Sequence, residues 1–374
     1  MLKKVHYGLF LFVCAALFAA LPVRAGTVKS VKGGSGYKSD YQAIKTELEK
    51  TGYVRLVKGE TYDLGSHVLH VKSNWSIDAT GATVKGNNCI LLNIPTCTGY
   101  KAISNFHIKG GTWVSSKKNG VKKSAIKISH GKNISFTNMN IRWCSLNNHS
   151  IELVGCRNVK IKGCHIDGLG KGSSKSVEEA IQIDLAAPKT APFLEEYKAR
   201  SRQLWNGAAC ENVVIDKCWV RGCRGICANF AANDAKAGRK QYLRMFHRNI
   251  TISNSTIVGV KSEGLALFNV LSSKVRNNKI YSMSGRTSTN YSNGCHCVLI
   301  GKVPAGSGAF TVKITGNQIY GGLHALAFNS QSASNYDKVV IEKNKLHCKM
   351  GKTGALSVER VARLVKENNS FHKW

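Results

Sequence analysis

The chain is 374 residues long and carries 54 Lys and Arg against 21 Asp and Glu, a net charge of +33. Hydrophobic residues make up 43% and charged residues 20%, so a large core is available and extended disorder is excluded. With 36 Gly and 5 Pro the chain is neither collagen-like nor a Pro-rich coil. The charge favours polyanionic partners: an acidic polysaccharide, an anionic cell-surface polymer or nucleic acid.

Lys3 and Lys4 precede an apolar run from Leu9 to Leu21, followed by Val23-Arg24-Ala25. A basic head, an apolar stretch and a small-residue site form a secretory signal over 1–25. The run is shorter than the ~20 residues of a membrane span, and no later segment is apolar enough to make one. The expectation is an exported chain, secreted or at the cell surface, with one domain over 26–374 and cleavage near Ala25. Export removes nucleic acid from the partner classes. It also removes Cys14 and leaves an even number of cysteines in an oxidising compartment.

Residues 40–51 read as a short amphipathic helix, with Asp40 as N-cap, Ile44 and Leu48 on one face and Gly52 at its end. From about residue 100 one phrase recurs: Asn, apolar, any, apolar, with a further apolar residue five positions on. Copies are Asn133-Ile134-Ser135-Phe136 to Ile141, Asn158-Val159-Lys160-Ile161 to Ile166, Asn212-Val213-Val214-Ile215 to Val220 and Asn249-Ile250-Thr251-Ile252 to Ile257. Degenerate copies run from Val275, Val312 and Val339. Each copy has a companion strand headed by a small residue, such as Ser150-Ile151-Glu152-Leu153, Ala180-Ile181-Gln182-Ile183 and Gly225-Ile226-Cys227-Ala228.

This alternation is strand periodicity. A base period of about 25 residues, with extra residues in some gaps, means one repeated coil carrying loop insertions. A lone coil cannot bury its apolar side, but stacked coils can, pairing in parallel at ~4.8 Å per coil. The predicted fold is an all-β right-handed parallel β-helix of about ten coils with the 40–51 helix covering the first. Asn278, Asn317 and Asn344 fall in one register, as do Cys164, Cys218 and Ser255, so these are read as interior ladders.

The helix, Tyr53-Val54-Arg55-Leu56-Val57-Lys58-Gly59-Glu60-Thr61-Tyr62, Ser73-Asn74-Trp75-Ser76-Ile77-Asp78 and the Asn-led coils together resemble the pectin-lyase-like right-handed parallel β-helix superfamily. The resemblance spans nearly all of 26–374. It implies the fold and leaves open the activity, since that superfamily contains polysaccharide lyases, galacturonan hydrolases, uronan epimerases and non-catalytic surface proteins. The motifs of the galacturonan hydrolases, pectate lyases and mannuronan epimerases are missing here, so no catalytic residue is carried over. Glu179-Ala180-Ile181-Gln182-Ile183-Asp184, Trp205-Asn206-Gly207 and Arg224-Gly225-Ile226 resemble a set of exported bacterial β-helix proteins.

Large inserts lie at 185–211, 231–248 and 283–296. They hold Tyr197, Arg200, Arg202, Trp205, Arg239, Lys240, Tyr242, Arg244, His247, Arg248, Arg286 and Tyr291, aromatics for sugar faces and cations for carboxylates or sulfates. With Ile181 and Ile183 facing inward, Gln182 and Asp184 face outward, and Glu152, Cys227, Asn229, Ala266 and Phe268 take matching places. His149, Glu179, Arg224, Glu263 and His324 stand at the turns before those strands.

Asp184, Glu263, Glu179 and Arg224 are therefore the catalytic candidates. Glu152, Gln182, Asn229, Trp205, Arg202, His247 and Tyr242 are the substrate-binding ones. Paired carboxyls such as Asp184 with Glu263, or Glu179 with Asp184, suit glycoside hydrolysis. Arg224 or Lys261 as charge neutraliser, with His247 or Arg224 as base, suits elimination on a uronate. No metal ligand set is assigned, although the acids suit Ca²⁺.

The cysteines read as bridges or ladder thiols rather than a zinc site, with Cys89–Cys97 and Cys164–Cys218 as candidate disulfides. The leading functional expectation is an exported enzyme cleaving an acidic polysaccharide, as hydrolase or lyase. The alternative is a non-catalytic adhesin that binds polyanions.

Overall fold

The computed structural model describes residues 30–31, 37–116, 120–143, 146–170, 173, 178–197, 201–284, 293–300, 311–330 and 336–374. The expected signal segment over 1–25, with Cys14, and the insert residues Arg200, Arg286 and Tyr291 lie outside them. Three all-parallel sheets of 12, 10 and 11 strands wind around one axis as a right-handed parallel β-helix. Each strand pairs with its counterpart in the coil before and the coil after.

The interior consists of files of apolar side chains in register. One runs Phe136, Ile161, Ile215, Ile252, Val275, Ile314, Ile341. Another runs Ile141, Ile166, Val220, Ile257, Ile280, Ile319, Leu346. Nearly all are fully buried, so the alternation in the sequence maps directly onto inside and outside.

Amide ladders accompany these files. The backbone N–H of Asn278 donates to Asn317 Oδ1, that of Asn317 to Asn344 Oδ1 and that of Asn344 to Asn369 Oδ1, at 2.9, 2.9 and 3.0 Å. Ser255 and Cys218 continue the ladder toward the N-terminus. A second ladder explains the Asn that leads each repeat. Asn105, Asn133, Asn158, Asn212 and Asn249 all hold left-handed backbone, with φ between 54° and 57°. Asn tolerates that region better than other side chains, and the Asn Nδ2 of each coil donates to the Oδ1 of the preceding one at 2.9–3.1 Å.

The Tyr37–Thr51 helix covers the first coil, with Ile44 and Leu48 buried. It ends where Gly52, at φ 74°, donates to Leu48 O at 2.8 Å. It starts earlier than the sequence indicates, so Asp40 is not its N-cap. Asp40 is instead buried inside the first turns and accepts a hydrogen bond from the Asp63 N–H at 2.9 Å, fastening the helix to the coil below.

Neither expected disulfide is present: Cys89, Cys97, Cys164 and Cys218 are all free thiols. Cys89 is buried and donates to Leu91 O while Cys97 is exposed. Cys164 and Cys218 sit in an interior file and donate to the carbonyls of Phe136 and Ile161. Burial pushes the Cys89 thiol up to about 12.

Candidate functional site

Five neighbouring strands of the 10-stranded sheet carry the candidate residues: Ile126–Ser129, Ile151–Val154, Glu179–Asp184, Arg224–Ala228 and Leu265–Phe268. Their register is Lys127, Glu152, Gln182, Cys227, Ala266, then His296 on the next strand. In an uncovered sheet this outward file would be exposed. Here every residue of the Glu179–Asp184 strand is buried, because the inserts that follow it fold back over the sheet.

Those inserts frame a cleft of about 930 Å³. Lys189, Thr190, Pro192 and Phe193 come from the 185–211 insert; Phe230, Ala232 and Asn233 stand at the start of the next. Asp234, fully buried, clamps the two together. It accepts hydrogen bonds from Lys189 N, Thr190 N and Thr190 Oγ1 at 2.9–3.1 Å and pairs with Arg239 at 3.1 Å.

The floor holds two linked sets of charges. In the first, Glu179 Oε1 receives Arg224 Nη1 at 2.8 Å, Arg224 Nε reaches Glu263 Oε2 at 2.8 Å, and Glu263 Oε1 lies 3.3 Å from His296 Nδ1. Ser262 Oγ also bonds Glu263. At the other end His149 Nδ1 lies 3.0 Å from Glu179 Oε2. Burial would raise the Glu263 carboxyl, but Arg224 and His296 overcome it and hold it down to about 2. Burial likewise opposes the charge on Arg224, which Glu263 and Glu179 more than restore. These residues neutralise one another.

The second set is different. Lys127 Nζ lies 2.8 Å from Glu152 Oε2, which also accepts from Ser124 Oγ at 3.0 Å. Against its burial, Lys127 and His149 lower the Glu152 pKa. Among the described residues no cation forms an ion pair with Asp184, although His149 acts to lower its pKa. Gln182 Nε2 donates to its Oδ1 at 2.8 Å, yet burial, reinforced by the Glu152 charge, raises its pKa well above the usual range. His149 is drawn the other way: burial lowers it, and Glu179 more than offsets that. Among the described residues, His149, Glu152 and Asp184 each offer a potential ligand atom, all within 4.8 Å of one another.

The structure thus brings Glu152, Glu179, Gln182, Asp184, Arg224 and Asn229 into one cleft. Glu263 lies behind it, fully buried against Arg224. Four expected binding residues are placed elsewhere. His247 is fully buried, accepting from Cys210 N through Nδ1 and donating to Asn229 O through Nε2, so it is no free base. Trp205 is half-buried and donates to Ala191 O, and the Tyr242 hydroxyl donates to Trp205 O at 2.6 Å; both brace the wall from inside. Arg202 is exposed on the short Ser201–Leu204 helix, outside the cleft. Lys261 is engaged with the Ser173 carbonyl. The residues that sequence reasoning misses are Lys127, Lys189, Phe193 and Phe230 on the cleft surface and Asp234 beneath it.

No protein-family model and no curated protein sequence matches the chain. Its fold is shared with solved structures. The surface adhesin PfbA of Streptococcus pneumoniae superposes with a TM-score of 0.58 at 14% identity, over 93% of this chain and 92% of that one. The polygalacturonase of Erwinia carotovora ssp. carotovora superposes with a TM-score of 0.52 at 14% identity, over 91% and 93%. An adhesin and a polygalacturonase therefore share the frame, and the choice between binding and turnover falls to the site itself.

Proposed function

We propose that this pectin-lyase-like parallel β-helix is an exported enzyme that binds an acidic polysaccharide in the cleft and cleaves a glycosidic bond. The observation that carries this reading is the Asp184–Glu152 pair. Burial and the neighbouring charge favour the protonated form of Asp184, while Lys127 favours the ionised form of Glu152. Two adjacent carboxyls with pKa values pushed apart form an acid and its partner base.

Asp184 protonates the leaving glycosidic oxygen, and Glu152 attacks the anomeric carbon or activates water. Product stereochemistry distinguishes the two routes: direct attack by Glu152 retains the anomeric configuration, and an activated water inverts it. Lys122, Lys123 and Lys189 meet the acidic groups of the glycan, and Phe193 and Phe230 offer apolar faces to the rings. An export signal over 1–25 and a single domain over 26–374 complete the reading. No helix among the described residues is long and apolar enough to cross a membrane.

The test is a panel of uronans and sulfated glycans. New reducing ends without the ultraviolet absorbance of an unsaturated sugar support hydrolysis; that absorbance reports elimination instead. Silence across the panel leaves the second reading, a polyanion-binding rod, which the charge of +33 favours. That reading expects salt-sensitive binding that survives Asp184→Asn.

A further inference from the structure

We propose that His149, Glu152 and Asp184, joined by the carbonyl oxygen of Gln182, hold a divalent transition-metal cation at the floor of the cleft. Three ligand atoms from adjacent coils already converge within 4.8 Å. Gln182 supplies an independent sign. Its side chain is 3% exposed and lines the cleft; Nε2 is used on Asp184, while Oε1 is buried with no partner. A buried carbonyl oxygen without a donor carries a desolvation penalty, which coordination to a cation beside Asp184 would remove.

The surroundings are those of a supported metal site. Ligating imidazoles usually carry a carboxylate on their other nitrogen. Glu179, itself fixed by Arg224, stands 3.0 Å from His149 Nδ1 and would serve as that carboxylate with Nε2 on the ion. Lys127 and Ser124 both contact Glu152 through Oε2, leaving Oε1 free to ligate. One imidazole, two carboxylates and an amide oxygen suit Zn²⁺, Mn²⁺ or a similar ion. Ca²⁺ prefers six to eight oxygen ligands. Binding does not depend on the glycosidase reading, but its consequence does: an ion here occupies both carboxyls needed for proton transfer and so switches the chemistry off.

The test titrates the full-length, chelator-treated protein with Mn²⁺, Zn²⁺ and Ca²⁺ by calorimetry. Loss of the free-ion Mn²⁺ resonance signal provides a second readout. One Mn²⁺ or Zn²⁺ per chain is expected, bound more tightly than Ca²⁺. Affinity should fall at least tenfold in the isosteric Asp184→Asn and in His149→Gln, the latter at the more open edge of the site, with both variants checked for native circular dichroism. Absence of binding to the unaltered protein, or affinity unchanged in the two folded variants, overturns the site. Glycan turnover is measured separately with and without the ion. Metal-free protein that turns over no glycan counts against the glycosidase reading alone. Turnover that persists at saturating ion refutes the switch while the binding data stand by themselves.

Discussion

Arg224 and Glu263 meet at 2.8 Å in a place neither could occupy alone, the guanidinium 7% exposed and the carboxylate fully buried. The same guanidinium also holds Glu179. Removing it strands two buried carboxylates. Arg224→Met is expected to destabilise the fold by roughly 3–5 kcal/mol, seen as a lower midpoint in denaturant. Adding Glu179→Gln and Glu263→Gln should recover much of that loss. A single Arg224→Met variant as stable as the parent would show that the cluster contributes no net stability.

The pH dependence of stability follows from Glu263. Its folded pKa of about 2 lies below the ordinary carboxylate value of 4.5. A depressed acid contributes stability that is fully present above the unfolded pKa. That contribution is lost as pH falls from about 4.5 toward 2, and amounts to on the order of 3 kcal/mol. Chemical denaturation across that window should show the decline, and Glu263→Gln should flatten part of it.

Asp184 has the opposite sign. Because its pKa is raised, ionising it in the folded protein costs stability as pH rises. Asp184→Asn should therefore leave the thermal midpoint at neutral pH unchanged or higher. Turnover, read as reducing ends released, should drop by roughly 10²–10⁴ with the loss of the general acid. Loss of stability in parallel with activity would assign Asp184 a structural role instead.

Gly259 lies at the turn leading to Glu263, and a Cβ there would collide with the Glu263 carbonyl. Gly259→Ala should cost about 1–3 kcal/mol by overpacking. It should also displace the carboxylate, giving a shallower acid-stability profile than the parent. A neutral effect on both counts would mean that the turn can relax.

In the amide ladder, Asn317 uses both ends of its side chain. Oδ1 accepts from Asn278, and Nδ2 donates to Val275 O and Asn344 Oδ1. Asn317→Leu keeps the volume and strands these buried partners, at about 1–3 kcal/mol apiece. Urea denaturation of that variant measures the loss.

The coil interior is legible from the sequence because period-two alternation is a local signal, and files such as Phe136–Ile161–Ile215 follow from matching the same phrase in each coil, whatever insert separates the copies. The same arithmetic places Glu152 beside Gln182 and Glu179 beside Arg224. Lys127 obeys it too: it occupies the outward place between Ile126 and Ile128, one coil before Glu152. What alternation does not encode is how an insert folds. Trp205 and Tyr242 resemble sugar platforms as residue types, yet they turn inward and spend their polar tips on backbone carbonyls. Asp234 gives no local sign that it ties together two loops distant along the chain. His247 is consumed for the same reason, bridging Cys210 and Asn229 across coils.

The walls and the floor of the cleft are built by separate rules. The floor is set by backbone ladders, whereas the 185–211 wall leaves the 10-stranded sheet after Asp184, and the chain enters the 12-stranded sheet at the Glu211–Asp216 strand in unbroken register with the coil before. Closing a longer loop costs only a logarithmic increment of entropy. A rod of this kind can change the shape and charge of its cleft by swapping lateral segments, without renegotiating the scaffold that presents them.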